Sequence, residues 1–219
     1  MAEDIRVEFS NTEVINFTAC PIFHTSTDFR LTDDEMHILT EETGGTRLGD
    51  GIYRGKAQIS NNHNVLDTPG LERVQRFMLQ TGQHFVKNTL EIENEFYLTQ
   101  TWFTRNDKES AHHSHTHPNS ILAMVYYPQC ESGDMVLSVE KNNMFPHFDF
   151  NWKIKRYNNY NAKSWSIQVR TGDVVMFPGY VAHKTTPNES DLTRYALGAN
   201  FFTRGTFGTY ENTDLLELK

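Results

Sequence analysis

Cysteine is scarce. Only Cys20 and Cys130 occur in 219 residues, far apart and with neither a CxxC nor a zinc-ligand spacing, which argues against a disulfide framework and against a thiolate metal site. No apolar run approaches the roughly 18 residues that span a bilayer, and the opening MAEDIRVEFSNTEV places acids where a secretory leader needs bases and an apolar stretch. A reducing cytoplasm is the expected setting, with no membrane. Basic residues are also outnumbered: 20 Lys and Arg against 28 Asp and Glu give a net charge of −8, the reverse of a phosphate-binding footprint, so a nucleic-acid partner is unsupported. Internal repeats, low-complexity tracts and Gly/Ser linkers are missing too. One domain over 1–219 is therefore expected.

What is plentiful is aromatic and imidazole. Fifteen Phe, nine Tyr and three Trp, within 37% hydrophobic residues, can close a core. Thr32, three positions before Glu35, with Gly44 and Gly45 as a stop, predicts a helix over 33–43. Thr68-Pro69 predicts a second helix start, and Leu71, Val74, Phe77, Met78, Thr81 and Phe85 continue at helical spacing to about Asn88. From Glu95 the period changes to two, and short β-branched or aromatic runs follow at Ile121–Tyr127, Asp134–Val139, Trp165–Val169, Val174–Phe177 and Tyr195–Phe202. This is an α+β pattern: a helical part over about 1–94, then a sandwich or barrel over about 95–205. Residues Asn142 to Asn161, rich in aromatics, read equally as a long loop at the mouth of a site or as an ordinary hairpin.

Ten histidines are present, and four of them, His112, His113, His115 and His117, fall in six positions ahead of the strand ILAMVYY. Positions i and i+2 of a strand face one way, so His115 and His117 can meet one ion, with Pro118 ending the pairing. His113 shares that face, but three such positions span about 13 Å at about 3.3 Å per residue. Two ligands from this segment and one from elsewhere are expected. His24, His37, His63, His84 and His147 have no partner spacing and read as surface or structural. Downstream, GDVVMFPGYVAH carries an apolar strand, a Pro-Gly bend and His183. A turn at Pro187–Asp191 follows, and then a strand on which Arg194, Ala196, Gly198 and Asn200 share one face. An arginine beside Ala and Gly leaves room for a small anion, and its fork suits a carboxylate; a structural ion pair is the alternative.

Together, HxHPNS before a V-Y-Y strand and GDVVMFPGYVAH with an arginine eleven positions on resemble the Fe(II)- and 2-oxoglutarate-dependent dioxygenases, in particular the prolyl-hydroxylase-like oxygenases common in phages and bacteria. The stretch from about Trp102 to Phe202 carries the likeness. It implies a double-stranded β-helix, or jelly roll, with supporting N-terminal helices. It implies His115 and His183 as metal ligands, Arg194 as partner of the distal carboxylate of 2-oxoglutarate, and Tyr127 as a further cosubstrate contact. His117 stands where the superfamily usually has Asp or Glu. The implied chemistry is oxidative decarboxylation of 2-oxoglutarate coupled to C–H hydroxylation, by analogy of a protein or peptide side chain. Residues Phe148 to Tyr160, with Lys153, Lys155 and Arg156, would form a lid. Three alternatives stay open: an outside carboxylate replacing His117, a three-histidine cupin-like dioxygenase without 2-oxoglutarate, and a jelly-roll binding or virion-associated module. The oligomeric state is left open, and a viral origin would place the chain in its host's cytoplasm.

Overall fold

In a computed structural model, which describes residues 20–42, 46–47, 57–138, 153–158 and 160–218, Thr32 and Glu35 close the expected capping box. The Thr32 N–H donates to Glu35 (2.8 Å) and the Glu35 N–H donates to the Thr32 hydroxyl (3.2 Å). Helix α1 then runs Asp33–Glu42. Helix α2 covers Glu72–Asn88 and buries Val74, Met78, Gly82, Phe85 and Val86 along one stripe. It begins later than Thr68-Pro69 predicts. A 3₁₀ turn at Val65–Asp67 ends at Thr68, Leu71 donates back to the Thr68 carbonyl, and Gly70 turns the chain at a φ of +96°. Arg73 of α2 pairs with Glu35 of α1 and lies over the Phe29 ring.

The strands are β1 (Phe23–Ser26), β2 (Thr46–Arg47), β3 (Gln58–Ile59), β4 (Glu95–Asn106), β5 (Leu122–Gln129), β6 (Asp134–Ser138), β7 (Ser164–Gln168), β8 (Asp173–Pro178), β9 (Ala182–Thr185), β10 (Arg194–Phe207) and β11 (Leu216–Leu218). The expectation of a helical part over 1–94 is corrected by β1, β2 and β3, which are too short to show a clear period of two. The large sheet has the order β1-β8-β5-β10-β4-β3-β2, with β11 beside β10, and the small one is β7-β6-β9; every paired strand is antiparallel. The architecture is the expected α+β jelly roll.

Alternation along the central strands sorts two cores. Leu122, Met124, Tyr126, Val174, Met176, Leu197, Ala199 and Phe201 face the helices with Val74, Met78 and Phe85. Ala123, Tyr127, Val175, Phe177 and Ala196 face Met135 and Leu137 of the small sheet. The two-residue period thus sends one set of side chains outward for stability and the other inward, where the site lies. Gly82 lets α2 approach β10, since a Cβ there would stand 2.7 Å from the Phe201 ring. Among the described residues no helix is long and apolar enough to cross a membrane. Of Asn142 to Asn161, the part through Trp152, and Asn159, lie outside the described residues, as does His147.

Candidate metal centre

His115, His117 and His183 come together, each offering one ring nitrogen within 4.8 Å of the others. Their segment is not the regular strand that the HxH spacing predicts. His115 makes an isolated bridge with His183, through His115 N–H to His183 carbonyl (3.0 Å) and His183 N–H to His115 carbonyl (2.9 Å). His117 is held by its own N–H to the Gly179 carbonyl (2.8 Å). A Cβ on Gly179 would stand 2.3 Å from the Ser120 carbonyl oxygen, so the Pro-Gly bend permits this close approach. The extended backbone still alternates, and that is enough to turn both rings one way. His183 arrives on β9 of the other sheet.

The ring tautomers follow from the neighbours. His115 Nδ1 meets the His113 carbonyl at 3.0 Å and His183 Nδ1 meets the Val181 carbonyl at 3.3 Å. A carbonyl only accepts, so both Nδ1 atoms carry the proton and both Nε2 lone pairs point into the site. His117 Nε2 lies 3.3 Å from His183 Nε2. Two nitrogens at the usual imidazole–metal length of roughly 2.1 Å and that far apart subtend about 100° at an ion, so the donor set fits a divalent cation. His117 lacks a carbonyl partner among the described residues and is held otherwise: the Trp102 ring stacks on it (5.4 Å, 21°), and the Asn200 side chain lies beside it. Phe177 packs against His183 at 4.5 Å.

Trp102 stands opposite Gly198 in the β4–β10 register, and a Cβ on Gly198 would lie 2.3 Å from the indole. The space over Gly198, expected to admit an anion, is therefore filled by Trp102. A glycine inside a strand signals such an approach, and it is the readable trace of Trp102. His24, His37, His63 and His84 are exposed, as expected.

Burial disfavours the charged form of all three clustered imidazoles. It lowers His115, and it takes His117 to about 4 and His183 to about 2, with the neighbouring histidines adding like-charge repulsion. They are neutral ligands at pH 7. In the unfolded chain the same groups take up protons below about 6.5. The unfolded state then binds more protons, so the stability they contribute is full above pH 6.5 and is lost as the pH falls towards about 4 for His117 and about 2 for His183. The metal-free protein is expected to lose about 2 kcal/mol or more between pH 7.5 and pH 5, read from urea melts. Equal midpoints at the two values would contradict this environment. Glu35 does not confound the window: against its burial, Arg73 holds its carboxyl below the usual range.

Arg194 opens β10, but that strand pairs with β4 and β5, not with β9. The arginine meets the histidine strand through its side chain. Nη2 donates to the Thr185 hydroxyl (3.1 Å), the Thr186 carbonyl (3.0 Å) and the Ser110 carbonyl (3.5 Å), and Nη1 donates to the Ser132 carbonyl (3.4 Å). Arg194 is 2% exposed, and no ion pair joins it among the described residues. A Cβ on Gly133 would stand 2.1 Å from Nη1, so glycine gives the guanidinium its room. Tyr127 is 1% exposed; among the described residues its hydroxyl has no hydrogen-bond partner, and burial pushes its titration up, against the opposing charge of Arg194. Among the described residues the cation has no anion and the hydroxyl no partner, so the donor chemistry of this place suits an acidic group.

Comparison with known proteins adds to this geometry. Residues 100–200 match the family described as "Putative 2OG-Fe(II) oxygenase". Solved structures share the fold. One is the α-ketoglutarate-dependent carbocyclase SnoK of nogalamycin biosynthesis, at 14% identity, TM-score 0.59, with 91% of this chain and 90% of that one covered. A second is HygX of Streptomyces hygroscopicus with nickel and 2-oxoglutarate bound, at 11% identity, TM-score 0.54, covering 83% and 82%. An oxidoreductase of the 2OG-Fe(II) oxygenase family from Burkholderia pseudomallei follows at 11% identity, TM-score 0.53, covering 82% and 83%. No curated protein is matched by the sequence.

Proposed function

From the match of residues 100–200 to the 2OG-Fe(II) oxygenase family, we propose that this chain is such an oxygenase, that His115, His117 and His183 hold the Fe(II) and that Arg194, with Tyr127 beside it, holds the distal carboxylate of 2-oxoglutarate. The reaction proposed is hydroxylation of a C–H bond, with a protein or peptide side chain as substrate on the strength of the motif resemblance. The chemistry that iron and cosubstrate supply when bound is oxidative decarboxylation with O2, yielding succinate and CO2 as the C–H bond is oxidised.

The chain's own contribution is binding, orientation and dryness. The two carbonyl-fixed tautomers present ligand lone pairs without reorganisation. Trp102 and Phe177 wall the imidazoles against water. Arg194 supplies a planar pair of donors suited to a carboxylate. The observation that carries the reading is this arginine, buried, bonded to neutral oxygens alone among the described residues, and tied to the same strand as His183. We also take residues 1–219 as one functional unit with its jelly-roll core over about 95–205. The two free cysteines support a reducing, cytoplasmic setting.

A second reading has its own support. The three-residue group contains no carboxylate, which favours a cupin-like three-histidine dioxygenase that binds its substrate directly and uses no 2-oxoglutarate. One experiment separates the two. Protein loaded anaerobically with Fe(II) and 2-oxoglutarate, then given O2, is expected to form succinate in proportion to the oxygen consumed, slowly even without the primary substrate. Failure to form succinate would overturn the first reading, and oxygen uptake with an added organic substrate alone would establish the second.

A further inference from the structure

We propose that Thr185 is a second direct donor to the distal carboxylate of 2-oxoglutarate, acting with Arg194; this rests on the assignment of Arg194 made above. The hydroxyl oxygen of Thr185 accepts two hydrogen bonds, from the His112 backbone N–H at 2.9 Å and from Arg194 Nη2 at 3.1 Å. A hydroxyl offers two acceptor sites and one proton. With both acceptor sites used, the proton is the one function left, and Thr185 donates it to no group among the described residues. The surrounding donors therefore fix the polarity of this hydroxyl: it can only give. Its proton and the guanidinium hydrogens form one donor cluster, and a carboxylate accepts without donating.

Position supports the same conclusion. Thr185 pairs with Met135 in the β6–β9 register, as His183 pairs with Leu137. Met135 and Leu137 both belong to the inner core, so Thr185 and His183 share the inward face of β9. Two residues at about 3.3 Å each separate them by roughly 6.6 Å along the strand, a span suited to a short dicarboxylate held at the metal by one end. Thr185 as a residue is only partly buried. A purely structural tie between β9 and Arg194 would need the oxygen but not the proton.

The test is calorimetric binding of 2-oxoglutarate to the full-length protein loaded with Mn(II), without turnover. Thr185→Val, which keeps the shape and removes the O–H, is expected to weaken 2-oxoglutarate about tenfold or more, the scale of a hydrogen bond to a charged group. Thr185→Ser is expected to restore binding to within about threefold. The penalty should vanish for 2-oxobutyrate, which has the metal-binding end but no distal carboxylate, and Mn(II) affinity should not change. An unaltered 2-oxoglutarate affinity in Thr185→Val, or an equal loss for both oxo acids, overturns the inference. Arg194→Met is the separating control: if it too leaves 2-oxoglutarate binding intact, the arginine assignment itself is wrong, whereas loss there with none in Thr185→Val removes the threonine alone.

Discussion

Replacing His183 with alanine is expected to reduce succinate formation to background while leaving the fold in place. His183 is 4% exposed, its Nε2 faces His117 Nε2 at 3.3 Å, and its Nδ1 is committed to a carbonyl. It supplies the one ligand from the small sheet, and nothing else in the three-histidine group can replace it. Loss of an outer partner of a metal ligand typically costs about 10–100-fold in affinity; loss of the ligand itself should exceed that. The backbone bridge to His115 survives the substitution, because it uses only N–H and carbonyl groups. Stability should thus change by about 1–3 kcal/mol, the ordinary range for a buried truncation. Metal titration and circular dichroism on the same sample check both halves. Wild-type metal affinity in this variant would remove His183 from the centre, and His24→Ala, at an exposed ring paired with Asp173, is the control expected to leave metal binding alone.

Arg194→Met is the second large effect, and its sign differs between the two states of the protein. Without ligand, Arg194 is a buried cation facing neutral oxygens, and each buried ion costs several kcal/mol before its hydrogen bonds are counted. Methionine removes the charge and the four donor contacts together, so the stability of the ligand-free protein should stay within about 2 kcal/mol of wild type. With 2-oxoglutarate the loss is large: a buried, hydrogen-bonded charge pair is worth about 2–5 kcal/mol, so the dissociation constant should rise at least about thirtyfold. The stabilisation that 2-oxoglutarate confers shrinks with it. Ligand at 100 times its dissociation constant adds about 2.7 kcal/mol, whereas ligand near that constant adds only about 0.4 kcal/mol. Thermal melts with and without 2-oxoglutarate read this directly. A variant that unfolds outright would show instead that the guanidinium is a structural tie.

Much of this is legible in the sequence. The capping box at Thr32 and Glu35, the stripe of α2 and the change of period at Glu95 each depend on near neighbours, and near neighbours are what a sequence displays. The face that Arg194 shares with Ala196, Gly198 and Asn200 on β10 follows from alternation alone. The start of α2 was misplaced because Thr68-Pro69 also suits a turn, and Gly70 decided in favour of the turn. The bridge at His115 leaves no local trace because it is closed by a residue 68 positions away. The same holds for Arg194: its strand was recognised, but its neighbours Ser110, Ser132 and Thr186 come from three different segments. Thr185 carried no signal of its own, since a hydroxyl becomes informative only when its two donors are known.

The reciprocal pairing of His115 with His183 also bears on the order of folding. The loop it closes is long, and pairings of that separation form late, after local helices and hairpins. The cluster His112 to His117, by contrast, is together in the chain from the start and can chelate a divalent ion before any strand has formed. Metal bound to the unfolded chain subtracts from the stabilisation that metal gives the native one. The final centre therefore competes with its own precursor, and refolding in excess metal should be slower than refolding in chelator followed by loading.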